Sequence, residues 1–401
     1  MTHLNHYSQL LKSLLIALLT FFFSSLHTIH AQTVQHDRVH LGFIYPLSTH
    51  GTHAPLDTND FSFHLISGVS AAERGLAFAG LTNVVRNDSH GIAFAGFSNH
   101  IRQKATGILF AGFVNTYGQA EGLSFAGFSN IASADVKGAQ FAGFLNKASN
   151  VNGAQFAGFS NHAANVVGSQ FAGFSNTART VDGSQFAGFA NISAKAVSGS
   201  QFGGFANIAD SVKGSQFAGF INVARKVKGV QIAGFINIAD SSDYPVGLIN
   251  IVRNGEKSIS SSYDETQTSL ISFRSGGKAL YGIVGLGYNF KNEDEVYAFE
   301  AGLGAHVFNT NYFRLNLELA TIYIEGFRYG EYFKSSLRIL PALRLGNRLE
   351  LFGGPALHYI NTNTSEGKAL STKYIYKHQN RWGDNFQAFY IGYTAGLAVT
   401  F

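Results

Sequence analysis

Cysteine is absent from this sequence, which excludes a disulfide framework, a lipidated cysteine and any cysteine-ligated metal. Proline is scarce, at five, and no long serine or glutamine tract occurs, so the chain is not built around linkers. Charged residues make up only 13% against 37 phenylalanines and 45 glycines. Disordered chains show the reverse, few aromatics and much net charge. The formal charge of +5 is spread along the chain and forms no basic stripe, so nucleic acid is not an expected partner. Beyond the N-terminus no apolar run approaches the ~20 residues of a helical membrane span.

The N-terminus itself reads as an export signal. Lys12 precedes the apolar run Ser13 to Leu26, and Ile29-His30-Ala31 places a small residue where cleavage is expected, after Ala31. The run is too short for a transmembrane anchor. Residues 1–31 are therefore expected to be removed. The exported remainder, lacking cysteine, must rely on hydrogen-bond ladders and its core.

What the chain has in abundance is repetition. Between Gly75 and Val252 one phrase recurs, from GLAFAGLTN through GAQFAGFSN to GVQIAGFIN, with a truncated GLIN at the end. Its closing asparagines run from Asn83 to Asn250, mostly 15 or 16 residues apart, and the insertions fall in the segment after each asparagine. A unit this short cannot bury its own apolar face and must stack on its neighbours. The expected fold is a β-solenoid over 75–252, rising ~4.8 Å per coil. Like residues then form ladders: Phe141, Phe156, Phe171 and Phe186 in one, Phe144, Phe159, Phe174 and Phe189 in a second, Asn146, Asn161, Asn176 and Asn191 in a third. The two phenylalanines of a unit are three apart and would face opposite ways in an unbroken strand. A bend at the intervening Ala-Gly brings both inward, and that is the expected arrangement; without it one phenylalanine ladder lies outside. The rival fold makes each repeat one strand of a large barrel, but alternation within GSQFAGFSN is poor.

After Val252 the pattern changes to long alternating strands, and a transmembrane β-barrel of about eight antiparallel strands is expected over 253–401. Six are clear: 280–290, 296–308, 312–324, 335–345, 348–359 and 386–401. Phe313, Leu315, Leu317 and Leu319 share one face, Arg314, Asn316 and Glu318 the other. Apolar residues facing out with Arg314, Glu318, Arg338, Arg344, Glu300 and Glu350 lining the inside mark a barrel in lipid. A soluble sandwich would invert the two faces. Candidates for the remaining strands are Asp60 to Val69, Thr266 to Phe273 and His40 to Leu47, which assigns residues 32–74 to the barrel. The last strand ends on Leu397, Val399 and Phe401. It resembles the C-terminal signal of bacterial outer-membrane barrels, which implies an insertion machinery and outer-membrane lipid as partners. Counting strands back from a periplasmic Phe401, with Asp60 to Val69 as the eighth strand, puts the repeats on the cell surface. Exchanging Thr266–Phe273 for His40–Leu47 puts them in the periplasm.

Catalytic chemistry is not legible. Fifteen histidines include no HExxH or comparable pair, and His50 and His53 read as incidental residues of an exposed loop. The glycines of GAQFAGF lack the strand-then-helix context of a phosphate loop. No catalytic, metal or cofactor residues are assigned and no cofactor is expected. The inward charges are expected to pair into a plug.

The GxQFAGFxN units, with the entry FIYPLSTHGTHA…TNDFSFHLISGVS and the exit GFINIADSSDYPVGLINIVRNG, resemble a family of uncharacterised surface-repeat proteins common in Bacteroidota and with relatives in spirochaetes. The resemblance spans nearly the whole mature chain and implies an envelope location, but no catalytic residues. Two functions are consistent with all of this. One is a non-enzymatic surface module whose barrel anchors a solenoid that binds an unidentified ligand or serves structurally. The other is a porin or transporter in which the repeats add to the barrel wall.

Overall fold

A computed structural model describes residues 38–327, 330–346, 348–380 and 385–401; the expected signal peptide lies outside these. The protein is all-β, with a parallel β-solenoid followed by a closed antiparallel eight-stranded barrel. Among the described residues no helix is long and apolar enough to cross a membrane.

Each solenoid coil has two short strands and two corners. In one coil Asn150–Ala157 is the longer strand, Gly158 and Phe159 turn the corner, and Ser160–His162 is the shorter strand. Every strand pairs in register with its counterpart one repeat away: Phe156 stands beside Phe171, and Asn161 beside Asn176. Period-two alternation then fixes the faces. Val151 and Gln155 are buried, so Phe156 between Gln155 and Ala157 must point out. The rungs approach too closely at two places for any Cβ. Gly168 sits at φ +129 and a Cβ there would lie 1.9 Å from the Gly153 carbonyl oxygen; at Gly173 the gap to the Gly158 oxygen would be 2.1 Å.

The phenylalanine ladders therefore form, but on the outside, which corrects the inward arrangement expected for them. Phe144, Phe159, Phe174 and Phe189 are about 40% exposed. The Phe141, Phe156, Phe171 and Phe186 ladder is half-buried, its rings stacked at 4.8 Å. The Ala-Gly corner does bend the chain, yet the bend turns it around a core of other residues. That core holds valines from Val136 to Val227, small alanines, and two ladders of buried amides. Twelve asparagines from Asn83 to Asn250 are joined by eleven side-chain bonds of 2.8–3.0 Å. Each also satisfies a corner carbonyl, as Asn161 Nδ2 does at Phe171 O, 2.7 Å. A second ladder, from Gln140 to Gln231, runs alongside and begins on the Tyr117 hydroxyl. A buried amide is costly unless bonded, and stacking identical units meets that requirement rung by rung.

The barrel strands are β1 (Glu256–Asp264), β2 (Thr268–Gly276), β3 (Leu280–Asn289), β4 (Tyr297–Asn309), β5 (Phe313–Glu325), β6 (Tyr332–Leu345), β7 (Leu349–Thr362) and β8 (Phe386–Thr400). Antiparallel pairing runs from each strand to the next, and β1 closes on β8. Six strands fall where alternation places them, and β2 is the expected Thr266–Phe273 candidate. The eighth is not. Asp60–Val69 lies in Thr58–Ser70 and His40–Leu47 overlaps Val39–Ile44; these strands pair parallel to each other and to the next coil, so residues 39–70 open the solenoid. The missing strand is Glu256–Asp264, a segment too polar to read as a membrane strand. Its Ser258, Ser260, Ser262 and Asp264 face a polar lumen while Ile259 and Tyr263 face out.

This substitution changes where the chain enters. Short three-residue turns join β2 to β3, β4 to β5 and β6 to β7 at one end of the barrel; at the other end β1 joins β2 through the equally short 265–267, and the remaining links are longer. Strand β1 begins beside the end of β8, Ser258 opposite Thr400. The solenoid thus joins the barrel at the end that carries three short turns and Phe401. Its last rung is closed by the barrel: Asn250 N donates to Ser275 Oγ at 2.8 Å and Asn250 Nδ2 to Ser275 O at 2.9 Å. The parallel edge is thereby capped.

Candidate functional site

Three places hold enough chemistry to consider: the barrel lumen, the outer end of the solenoid, and its aromatic edge.

The lumen is filled by paired charges brought together from six strands. Glu318 on β5 accepts from Arg274 Nε on β2 at 2.8 Å and from the Tyr281 hydroxyl on β3 at 2.9 Å. Arg338 on β6 lies 2.6 Å from Glu300 on β4 and 3.5 Å from Glu318. Arg314 bridges Glu256 and Glu350, and Arg344 reaches Glu350 from the rim at 3.3 Å. All the inward residues expected from the alternation are here; Arg274 and Glu256 were not foreseen, since each sits in a segment rich in serine. Toward the other end Lys334 pairs with Asp264 and bonds Thr266 Oγ1, and the Tyr390 hydroxyl bonds Glu265. In the short-turn half, between Arg274, Arg314 and Glu350, the free space is about 20 Å³, room for about one water. An eight-stranded barrel has an interior just wide enough for side chains to fill. Here charged ones fill it, and each needs its partner because a lone buried charge is costly.

At the outer end of the solenoid the chain folds back, Val39–Ile44 pairing antiparallel with Leu47–Ser48 before a 3-10 turn over Gly51–Leu56. His40 stacks face to face on His50, centroids 4.4 Å apart, and meets His64 edge-on at 4.3 Å. His50 is thus buried and also lies 3.3 Å from Asp57, which corrects its expected exposure. Asn59 links His40 to Glu73, and Ser62 bonds the same carboxylate. Burial, then the neighbouring imidazoles, pulls His40 down to about 3 and His64 to about 4, while burial pushes the Glu73 carboxyl up. Stacked rings do not converge their nitrogens on a point. Among the described residues no group of three His, Asp or Glu is placed to hold a metal ion.

The aromatic edge is the largest surface feature. The half-buried ladder from Phe110 to Phe217 and the Ala-Gly corners beside it form a groove of about 1080 Å³ running along the array. Phe97, Phe113, Phe128 and their successors to Phe235 make the second stripe just past the corner. Sequence reasoning held the signal that the rings lie outside: a glutamine precedes Phe141 and most of its successors, and adjacent residues of a strand face opposite ways. On the barrel, Leu397 and Val399 face outward on β8, and Phe401 N bonds Lys257 O at 2.9 Å across the closing seam. The edge offers apolar contact and the lumen offers closure. Ser336 Oγ lies 2.7 Å from His358 Nδ1, and His358 Nε2 3.4 Å from Glu265 Oε1, but Ser336 and His358 are buried in the packed wall. The polar cleft of about 360 Å³ beside Glu295, Thr364 and Glu366 is lined by neither of them.

Compared with protein-family models, curated proteins and solved structures, the chain matches none.

Proposed function

We propose that this is a non-enzymatic outer-membrane protein in which the barrel is an anchor and the solenoid is the working part. The filled lumen carries this reading. Ion pairs occupy the space a pore would need, while leucine, isoleucine and tyrosine cover the outward wall, as at Ile271, Leu286, Leu319 and Ile391. That division of faces suits a wall in hydrocarbon. Export follows from the N-terminal signal with cleavage after Ala31, and assembly from recognition of the β8 end, Leu397, Val399 and Phe401.

The same parity argument that expected the repeats on the cell surface now supports the opposite side. It counted Asp60–Val69 as a barrel strand; with Glu256–Asp264 in its place the count reverses. Short turns and a terminal aromatic belong to the periplasmic end of such barrels, and the solenoid joins there. The array then stands in the periplasm, held to the membrane by a closed barrel. The porin alternative calls for the repeats to extend the wall, whereas they pair parallel and stack as coils. Purified protein reconstituted in planar bilayers tests this. It should insert, run as a heat-modifiable band, and show no discrete conductance steps; sustained single-channel openings would replace the anchor with a pore.

A further inference from the structure

Soluble proteins rarely leave more than a few hundred Å² of contiguous apolar surface uncovered. The second phenylalanine stripe exceeds that alone. Ten rings from Phe97 to Phe235 are each 39–49% exposed; at ~150–250 Å² per aromatic side chain they leave on the order of 600–1,000 Å² in water.

Three observations say what covers it. The stripe is continuous with the outer wall of the barrel. Its next rung after Phe235 is Leu248, held there by Ile249 N bonding Phe235 O at 3.0 Å. The carbonyls of Gly247 and Leu248 lie against Gly282, where a Cβ would come within 2.0 and 2.2 Å of them. Gly282 is on the outward face of β3, in line with Val284, Leu286 and Tyr288. Charge is also excluded from this edge: none of the eleven full Gly-to-Asn phrases contains a charged residue, and Lys147, Arg179, Lys195 and Arg225 all sit in the segments between them. Finally, the apolar surface widens toward the barrel. The outward residue after the asparagine is polar at His100, Thr116, Lys147, His162 and Thr177, with Val84 and Ile131 the apolar exceptions, but is Ile192, Ile208, Val223, Ile238 and Ile251 in the five coils nearest β1.

We propose that the aromatic edge is seated in the lipid of the same bilayer, in the leaflet on the short-turn side, so that the solenoid lies along the membrane with its charged corners in water. The proposal rests on the reading of the barrel as a membrane anchor. It gives the array the logic of an interfacial amphipathic element: rings at the acyl boundary, charges on the far side. A second copy of the chain or a peptide occupant would not account for an apolar face that broadens toward the lipid-facing wall.

The test uses the full chain in bilayers containing phosphatidylcholine brominated on its acyl chains, which quenches tryptophan on contact. The single native tryptophan is replaced by Trp382→Phe, and one reporter is added at a time. Phe174→Trp keeps a stacked ring on the edge, Leu319→Trp marks the barrel wall, and Arg179→Trp marks a charged corner. Circular dichroism checks that strand content is kept. Phe174→Trp is expected to shift to the blue and lose most of its emission, as Leu319→Trp does, while Arg179→Trp keeps its emission. Quenching at Leu319→Trp without quenching at Phe174→Trp overturns the proposal and spares the anchor. A blue-shifted but unquenched Phe174→Trp overturns it in favour of a protein partner or second copy. No quenching at Leu319→Trp removes the anchor and this inference with it.

Discussion

A carboxylate placed at two neighbouring positions of one coil separates the inside of the solenoid from the outside. Phe171 stacks between Phe156 and Phe186, both at 4.8 Å. Phe171→Asp gives up two ring contacts worth ~0.5–1.5 kcal/mol each, and in a micelle its charge on this outer edge still reaches water by displacing detergent, so the cost is about 1–3 kcal/mol. Asn176 is fully buried; it donates to Phe186 O at 2.7 Å and to Asn191 Oδ1 at 3.0 Å, and accepts from Asn161 Nδ2 at 2.9 Å. Asn176→Asp keeps the shape but replaces the doubly donating NH2 with an oxygen that faces two acceptor oxygens. Complete burial raises a carboxyl by ~3–5 pKa units, so at pH 7 the buried group stays protonated; at ~1.4 kcal/mol per unit over the ~3 units between its unfolded pKa and pH 7, the penalty at neutral pH is about 4 kcal/mol. The sign with pH follows from linkage. A folded-state pKa above the unfolded value of ~3.9 means that the penalty is absent below about pH 4, grows as pH rises above it, and levels off only at the folded value. Hydrogen exchange of the amides between Ser160 and Ile192, in full-length protein in micelles, reads the local opening free energy. At neutral pH Asn176→Asp should exchange about ten- to a hundredfold faster than Phe171→Asp, by ~1.4 kcal/mol per factor of ten, and the two should converge near pH 4. Equal effects at neutral pH, or a larger one for Phe171→Asp, would refute the amide core and return the rings to the interior.

Other outcomes follow from the same geometry. An epitope tag between Asn176 and Gly183 should be shielded from antibody and protease on intact cells and become accessible once the outer membrane is opened; labelling of intact cells would put the array outside. Deleting Phe401 should leave unassembled chain in the periplasm, seen as loss of the heat-modifiable band from the membrane fraction. The outermost coils should weaken in acid: with His40 and His64 held at about 3 and about 4, below their ordinary 6.5, the unfolded state binds more protons as pH falls through 6.5. Their stability is complete above that pH and declines toward pH 3, so exchange of Asn59–Ala79 amides should accelerate over this window, and His64→Gln should flatten the decline.

Much of this architecture was legible because repetition and alternation are local properties. The interval from Asn83 to Asn250 announces stacked coils, and the faces of Phe313 to Leu319 announce a barrel strand. Two misreadings share one cause. Placing Phe171 inside and passing over Glu256–Asp264 both assume that apolar residues mark the interior, a rule that holds for a core surrounded by water. Ser258, Ser260 and Ser262 point into a polar lumen, and Gln170 and Asn176 fill a polar core, while apolar side chains such as Phe174 and Leu319 lie on the outside. His50 was misplaced differently: its burial depends on a fold-back of Val39–Ser48 that no nearby residue announces.

The sequence by itself determined the repeat length, the phenylalanine and asparagine ladders, the order of solenoid before barrel and the positions of six barrel strands, because each follows from spacing along the chain. Tertiary structure alone decided which ladders are inside, which segment is the eighth strand and at which end the solenoid joins. All three are questions of parity. A shift of one residue exchanges the faces of a strand, and exchanging one strand for another changes the end at which the chain enters, so only the closed set of hydrogen-bonded partners resolves them.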